Sequence, residues 1–247
     1  RGVACLMCYG QAESGREALL HGEAGTRSNP NFTPRGMPAP GGHIHQRGDE
    51  GSAGLVLAAL VEVLGRLGDG GAVEMACVLL HLEQLHDLLS PQSRVRLAES
   101  DLDGVQLSGA HWAPLRDAKE AEGMLQMATQ NRAVHAGAAP EGDGGFLDAC
   151  HVIIAVRIPT GAGRGSSLPL HKTLYIVELA PPPPTRPSGI AGLAVEDFCA
   201  INASLRGLQA CLGVMARKGA ARPPVRDSRL TRLLSGALGA DPIRTVL

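Results

Sequence analysis

Aromatic residues are scarce: one Trp, two Tyr and three Phe among 247 residues. A core must therefore be assembled from Leu, Val, Ile and Ala, which bury less area per side chain. An excess of one charge is also lacking. The net charge of −1 points to no nucleic-acid partner, so electrostatic function has to come from a local patch. No apolar run reaches the ~18 residues of a membrane span, and a secretory leader is not expected. Six cysteines are present, and only Cys5 and Cys8 form a C-x-x-C. No second pair stands at metal-ligand spacing. On a strand the two would point to opposite faces, so no metal is expected, and reduced thiols in an intracellular chain fit better. His43 and His45, an H-x-H among glycines and prolines, read as a surface pair.

Glycine and proline are plentiful, 32 and 17, which implies long loops and low stability for the length. A hydrophobic content of 44% still suffices for one large domain or two small ones. Strands are expected at 3–9, 72–80, 151–158 and 173–180, with shorter ones in "RVRLAE" and "GVQLSG". Helices are expected from 14, over 55–67, over 115–131 with Met124 and Leu125 on the apolar side, over 195–218, and over 227–239 with a glycine cap. "LEQLHDLLSP" (82–91) reads as a helical turn ended by proline, and "IRTVL" as a last strand. Residues 22–52 and 136–147 read as flexible loops. "PPPP" (181–184) suits neither helix nor strand interior. Alternating helices and strands give an α/β class with a central, mostly parallel sheet.

One stretch carries a chemical motif. In "CYGQAESGREALLHG" (8–22), Gly10 and Gly15 bracket a turn between a strand and a helix. A phosphate-cradling loop works this way, adding a lysine for the phosphates and a hydroxyl for magnesium. Here Arg16 and Glu17 occupy those two places. Alone, the spacing is weak, and a plain strand-to-helix turn is the better reading.

Four further segments, in order, change that. "YGQAESG" resembles the kinesin loop YGQTGSGKT, and "LEQLHDLLSP" resembles the family's segment ending in DLL. "LYIVELA" resembles LxLVDLAGSE. "INASLRGLQACLGVMA" and "PVRDSRLTRLLSGALG" resemble INxSLxALxxVIxAL and PYRDSKLTRLLxxSLGG. "GVQLSGAHWAPLRDAKEAEGMLQMATQNRA" resembles the approach to the first switch in C-terminal-motor kinesins. The resemblance is close over 172–247 and looser elsewhere. It implies a partial motor domain over 1–247, with a P-loop NTPase-type sheet flanked by helices. The chain, which opens directly in an apolar run, is expected to be a piece cut at both ends, without the family's first strands and last helix.

The resemblance implies ATP and magnesium as ligands, held by Gly10, Gln11, Ala12, Glu13, Ser14, Gly15, Arg16 and Glu17. It also shows how far these residues depart from the family. Glu13 and Glu17 would face phosphates of their own sign, each repulsion about 4 kcal/mol at ~4 Å and an effective dielectric near 20, before relaxation. Of the first switch, NxxSSRSH, only His151 matches; Leu147, Asp148, Ala149 and Cys150 replace its neighbours. In the second switch Glu178 keeps the acid, but Pro181 has no N–H for a γ-phosphate. Pro183 and Ala149 replace both partners of one switch salt bridge. Catalysis by positioning and charge should then be weak or absent, with no catalytic residue set intact.

The microtubule-facing segment is better kept. Arg217, Lys218, Arg222, Arg226, Arg229 and Arg232 against Asp227 give a local charge of +5, which suits acidic tubulin. Leu230, Leu233, Leu234 and Leu238 form an apolar stripe beside the arginines. Asn202 and Ser204 match INxSL, the former where the family's asparagine touches the second switch. Three readings stand: a microtubule-binding module with a degenerate nucleotide site, an active divergent motor, and a decayed or mis-assembled chain. The first places the protein in the cytoplasm on the cytoskeleton, with a dimer formed through a coiled coil outside this chain.

Overall fold

The computed structural model describes residues 2–11, 14–26, 54–67, 73–100, 104–136, 150–162, 169–182, 195–217 and 222–239. Strands β1 (Val3–Cys8), β2 (Val73–His81), β3 (Gln84–Asp87), β6 (Ala113–Leu115), β7 (His151–Ala162) and β8 (Pro169–Glu178) form a six-stranded sheet. Its order is β1-β8-β7-β2-β3, with β6 on β2. A separate ribbon pairs β4 (Arg96–Ser100) with β5 (Gly104–Ser108).

Helices cover both faces of the sheet. Helices α1 (Arg16–Thr26), α2 (Leu55–Leu67) and α3 (Ala118–Ala136) lie on one side. There Leu20, Val56, Leu60 and Ala121 meet Met75, Cys77, Leu79, Ile154 and Ile176. Helix α4 (Val195–Met215) and the short α5 (Arg229–Leu233) cover the other. There Leu208, Cys211, Leu230 and Leu233 meet Val78, Leu80, Ile153, Tyr175 and Val177. The strands are written for this: along β2, Met75, Cys77 and Leu79 face one layer and Val78 and Leu80 the other, the period of two that a doubly covered strand needs. With few aromatics, aliphatic side chains fill both layers, each worth about 1.5–3 kcal/mol when fully buried.

The α/β class with a helix-flanked sheet is the observed one, but the sheet is mixed rather than mostly parallel. Among the described strands only β1 with β8 is parallel; β8 with β7, β7 with β2, β2 with β3 and β2 with β6 are antiparallel. Short links force two of these pairings: two residues join β2 to β3, and six residues separate β7 from β8, too few for a crossover.

The segment expected as a helical turn at 82–91 is instead the second arm of a hairpin. Leu82 and Glu83 adopt positive φ, 47° and 59°, between the paired His81 and Gln84. That is a two-residue turn matching the strand twist, built without the usual Asn or Gly, so its leucine spacing reads as helical. The C-terminal helix is also shorter than the expected 227–239: α5 has five residues and passes into a 3₁₀ turn, Leu234–Gly236. Its leucine stripe is nonetheless buried at Leu230, Leu233, Leu234 and Leu238. The long helix expected at 195–218 is α4, and α3 presents Met124 and Leu125 to the core.

Residues 22–26 belong to α1, which breaks at Gly22 (φ 75°); the rest of the 22–52 loop, most of 136–147 and the "IRTVL" strand lie outside the described residues. Cys5 and Cys8 do face opposite sides of β1, Cys5 toward the α4 layer and Cys8 toward the α1 layer. Among the described residues no group of three His, Cys, Asp or Glu could hold a metal. Helix α4 is the one described helix long and apolar enough to cross a membrane by length and composition. Its Ile201, Leu208 and Cys211, however, are buried in the protein interior.

Asp87 fixes the connection after the hairpin. Its buried carboxylate accepts N–H bonds from Leu89 and Ser90 at 2.8 Å and from His111 at 2.6 Å. Asp87→Ala strands three donors and should cost about 3 kcal/mol. Urea unfolding checks this, with Asp87→Asn losing less because its amide oxygen still accepts.

Candidate functional site

Parallel pairing of β1 with β8 sets Cys8 opposite Glu178, and Leu179 N–H continues the ladder to Cys8 O at 3.0 Å. The turn that follows β1 therefore opens beside the carboxyl end of β8. Gly15, at φ 84°, reverses the chain, and α1 starts with Leu19 N–H bonding Gly15 O at 2.9 Å. Strand, turn and helix at the carboxyl edge of a parallel pair form the usual setting of an anion site in α/β folds.

The side chains at this edge point at one another. Arg16 is only 6% exposed. Its Nη1 donates to Gly10 O at 3.0 Å, and its Nη2 lies 3.6 Å from Glu178 Oε1. Arg132 of α3 donates from Nη1 to Glu178 Oε2 at 3.0 Å, and His21 Nε2 meets the same oxygen at 3.2 Å. An ionised carboxylate only accepts, so His21 Nε2 carries the proton in that contact. At 3.6 Å the Arg16 contact is an ion pair and not a hydrogen bond. Arg16 Nε and Glu178 Oε1 have no hydrogen-bond partner among the described residues. Burial alone would raise the Glu178 pKa; Arg132, His21 and Arg16 outweigh it and hold the carboxyl at about 2.

The second junction centres on His151. Its Nδ1 accepts the Ala180 N–H at 2.9 Å, so the proton of the neutral ring sits on Nε2. Nε2 lies 2.7 Å from Ser204 Oγ, which in turn donates to Ile201 O at 2.9 Å. One imidazole thus ties the start of β7, the end of β8 and the middle of α4. Burial, then the charge of Arg16, lowers its pKa to about 4, against the opposing pull of Glu178. Pro181 follows directly and is buried.

The sequence-expected loop residues come together in part. Gly10, Gln11, Ser14, Gly15 and Arg16 line the turn; Ala12 and Glu13 lie outside the described residues, as does the side chain of Glu17. Asn202 bonds back to Phe198 O at 2.9 Å within α4. Cys150 is buried, and residues 147–149 and 183 are outside the description.

On the opposite layer, Arg217, Arg222, Arg226 and Arg229 are exposed; Lys218 is not described. Arg232 pairs with Glu99 at 3.6 Å, and the Arg229 N–H donates to Glu83 at 2.6 Å. These two carboxylates, from β4 and the hairpin turn, reduce the local charge from the +5 of the segment to +3. The turn entering α5 is held by a reciprocal cap: Thr231 N–H donates to Ser228 Oγ at 3.2 Å, and Ser228 N–H to Thr231 Oγ1 at 3.2 Å. Arg132, His21, Glu83 and Glu99 were invisible as site residues in the sequence, because nothing in local spacing tells an inward-turned arginine or a capping acid from a solvated one.

A strand–turn–helix edge on one side of the sheet and a capped basic segment on the other thus belong to one helix-flanked α/β fold. The kinesin motor domain family model matches residues 2–247, and the chain belongs to that family. It is 28% identical over 208 residues to "Kinesin-like protein KIN-10C" of Oryza sativa subsp. japonica, covering 83% of this chain and 34% of that protein. Against "Kinesin-related protein 5" of Dictyostelium discoideum it is 24% identical over 247 residues, covering 98% and 23%. The chain thus spans about a third or less of these two relatives. A solved structure described as that of a fast kinesin superposes with a TM-score of 0.69 at 20% identity, covering 95% of this chain and 60% of that one. That likeness supports the fold.

Acid should unfold the protein in two stages. His151 binds its proton less readily when folded, so its contribution is whole above pH ~6.5 and falls as pH drops toward about 4. The loss is about 3 kcal/mol at 1.36 kcal/mol per unit. His86 and His135, whose rings stand 4.2 Å apart, are lowered by burial first and so act in the same direction. Glu178, depressed in the fold, contributes fully above the ordinary carboxylate range and loses its part as pH falls toward about 2. Thermal melts from pH 7 to pH 3 should show the first limb weakened in His151→Gln. Ser228→Ala should cost about 1–2 kcal/mol by the loss of the cap, read in the same melts.

Proposed function

We propose that this chain is a microtubule-binding kinesin module whose nucleotide site no longer supports ATP turnover. The observation that carries this is the inward fold of Arg16. The residue in the place of the phosphate-binding lysine is spent on Gly10 O and faces Glu178 from within the protein. Magnesium–ATP does not fit these residues. Arg16 Nη1 is bonded to Gly10 O, a carboxylate stands beside its Nη2, and Pro181 offers no N–H to a terminal phosphate. Arg and Lys are not interchangeable at so close a site.

The arginines around α5 supply the other half of the reading. Arg217, Arg222, Arg226 and Arg229 are exposed, on a segment anchored by the Ser228–Thr231 cap and the buried leucines. Such a surface attracts acidic tubulin, and the attraction should weaken with salt. The module acts as a static or diffusing tether on the cytoplasmic cytoskeleton, or as the passive partner of an active head.

Microtubule pelleting tests it. Binding should fall between low and physiological salt and be unchanged by ATP. Reversing Arg226 and Arg229 to Glu together should weaken binding roughly tenfold or more, about 1.4 kcal/mol. Release from microtubules on adding ATP would make the chain an active motor instead. Absence of any saturable binding would leave it without the proposed partner.

A further inference from the structure

We infer that Glu83 is a positioning residue for the basic segment around α5, holding that segment in the form in which it meets the microtubule. This rests on the reading of a microtubule-binding module and deepens it. The turn between β2 and β3 is unusual. Leu82 and Glu83 stand at φ 47° and 59°, a region that residues with a side chain seldom enter. Two-residue turns of this kind favour Asn and Gly, and neither Leu nor Glu eases the backbone there. Such a conformation persists where surrounding contacts hold it.

Glu83 makes a contact of that kind. Its Oε2 accepts the Arg229 N–H at 2.6 Å, from 146 positions away in the chain. The N–H groups of a helix's first turn have no partner within the helix. In α5 the Thr231 N–H is taken by Ser228 Oγ and the Arg229 N–H by Glu83. Local sequence thus caps one donor of the turn and the distant hairpin another. A carboxylate acceptor makes the second bond the stronger type. The contact lies over a shared apolar layer, in which Leu85 of β3 packs with Leu230 and Leu233, and Val225 lies against them.

The Glu83 bond reaches the backbone and not a guanidinium, so it fixes where the exposed Arg226 and Arg229 side chains start from. The Arg232–Glu99 pair differs. Both of its side chains are about half exposed, 43% and 53%, and such pairs contribute little. The sign of the effect separates placement from charge. Glu83 is an anion beside a basic surface. By charge alone, removing it should tighten binding to acidic tubulin; by placement, removing it should weaken binding.

The test is pelleting of the full chain with polymerised tubulin at low salt. Glu83→Gln keeps an acceptor oxygen at the same reach. Glu83→Asn suits the turn better but is shorter by one C–C bond, about 1.5 Å, which draws its acceptor beyond hydrogen-bond distance. Glu83→Gln should bind as tightly as wild type or more so. Glu83→Asn should bind roughly fivefold or more weakly than wild type. Glu83→Asp, with the charge unchanged and the same short reach, should show a similar loss. Equal affinities of folded Glu83→Gln and Glu83→Asn would overturn the inference, whether both rise or neither moves. Should neither short variant fold, amide exchange of Arg229 in wild type decides. Slowed exchange supports the tie, and exchange at the rate of an unstructured amide overturns it. Failure is separable from that of the underlying reading. Wild type that does not pellet overturns the reading and the role of Glu83 with it. Wild type that pellets, with Glu83→Asn pelleting as well as Glu83→Gln, overturns the role of Glu83 alone.

Discussion

A carboxylate buried at the carboxyl end of β8, met by cations from α1 and α3, organises this molecule. Glu178 sits where the parallel β1–β8 pair delivers it, opposite Cys8, beside the turn that starts α1. Burying such a charge is costly unless its partners are placed well. That requirement turns Arg16 inward, brings Arg132 in from α3 and recruits His21. Because the three partners belong to different segments, the acid ties the loop to the helices on its own face of the sheet. His151 ties the same edge to α4 on the other.

On the proposed reading, the two junctions belong to a static protein and not a cycling one. A motor needs loops that make bonds to a terminal phosphate and release them after hydrolysis. Here the polar groups near the loop bond to each other. Arg16 holds Gly10 O, the Ala180 N–H is used by His151, and the residue after it is proline. The exposed arginines around α5 depend on different supports, the Ser228–Thr231 cap and the leucine stripe. The two regions are therefore held by separate sets of contacts.

Much of this was legible in the residues. Strands such as "HVIIAVRI" and "TLYIVELA" are apolar on both faces, and a strand covered on both sides must be. The helix over 55–67 followed from spacing, and the α5 leucines from theirs. What failed to show had a physical cause. Leu82 and Glu83 make a turn usually reserved for Asn and Gly, so "LEQLHDLLSP" looked helical. Antiparallel pairing within the sheet depends on connection lengths between distant strands, which periodicity does not report. The loop's anomaly was visible as Arg16 and Glu17, but its resolution was not. Whether an arginine points to solvent, to a ligand or to a buried acid is decided by residues over a hundred positions away, here Arg132 and Glu178.

The most direct measurement of the central claim is phosphate release by the purified chain with magnesium–ATP, with and without saturating microtubules. The account predicts rates indistinguishable from the buffer blank in both cases, from protein that still pellets with the polymer. Release that rises with microtubule concentration to ordinary motor rates would contradict it, since the Arg16–Glu178 contact would then have to open for ATP on every cycle.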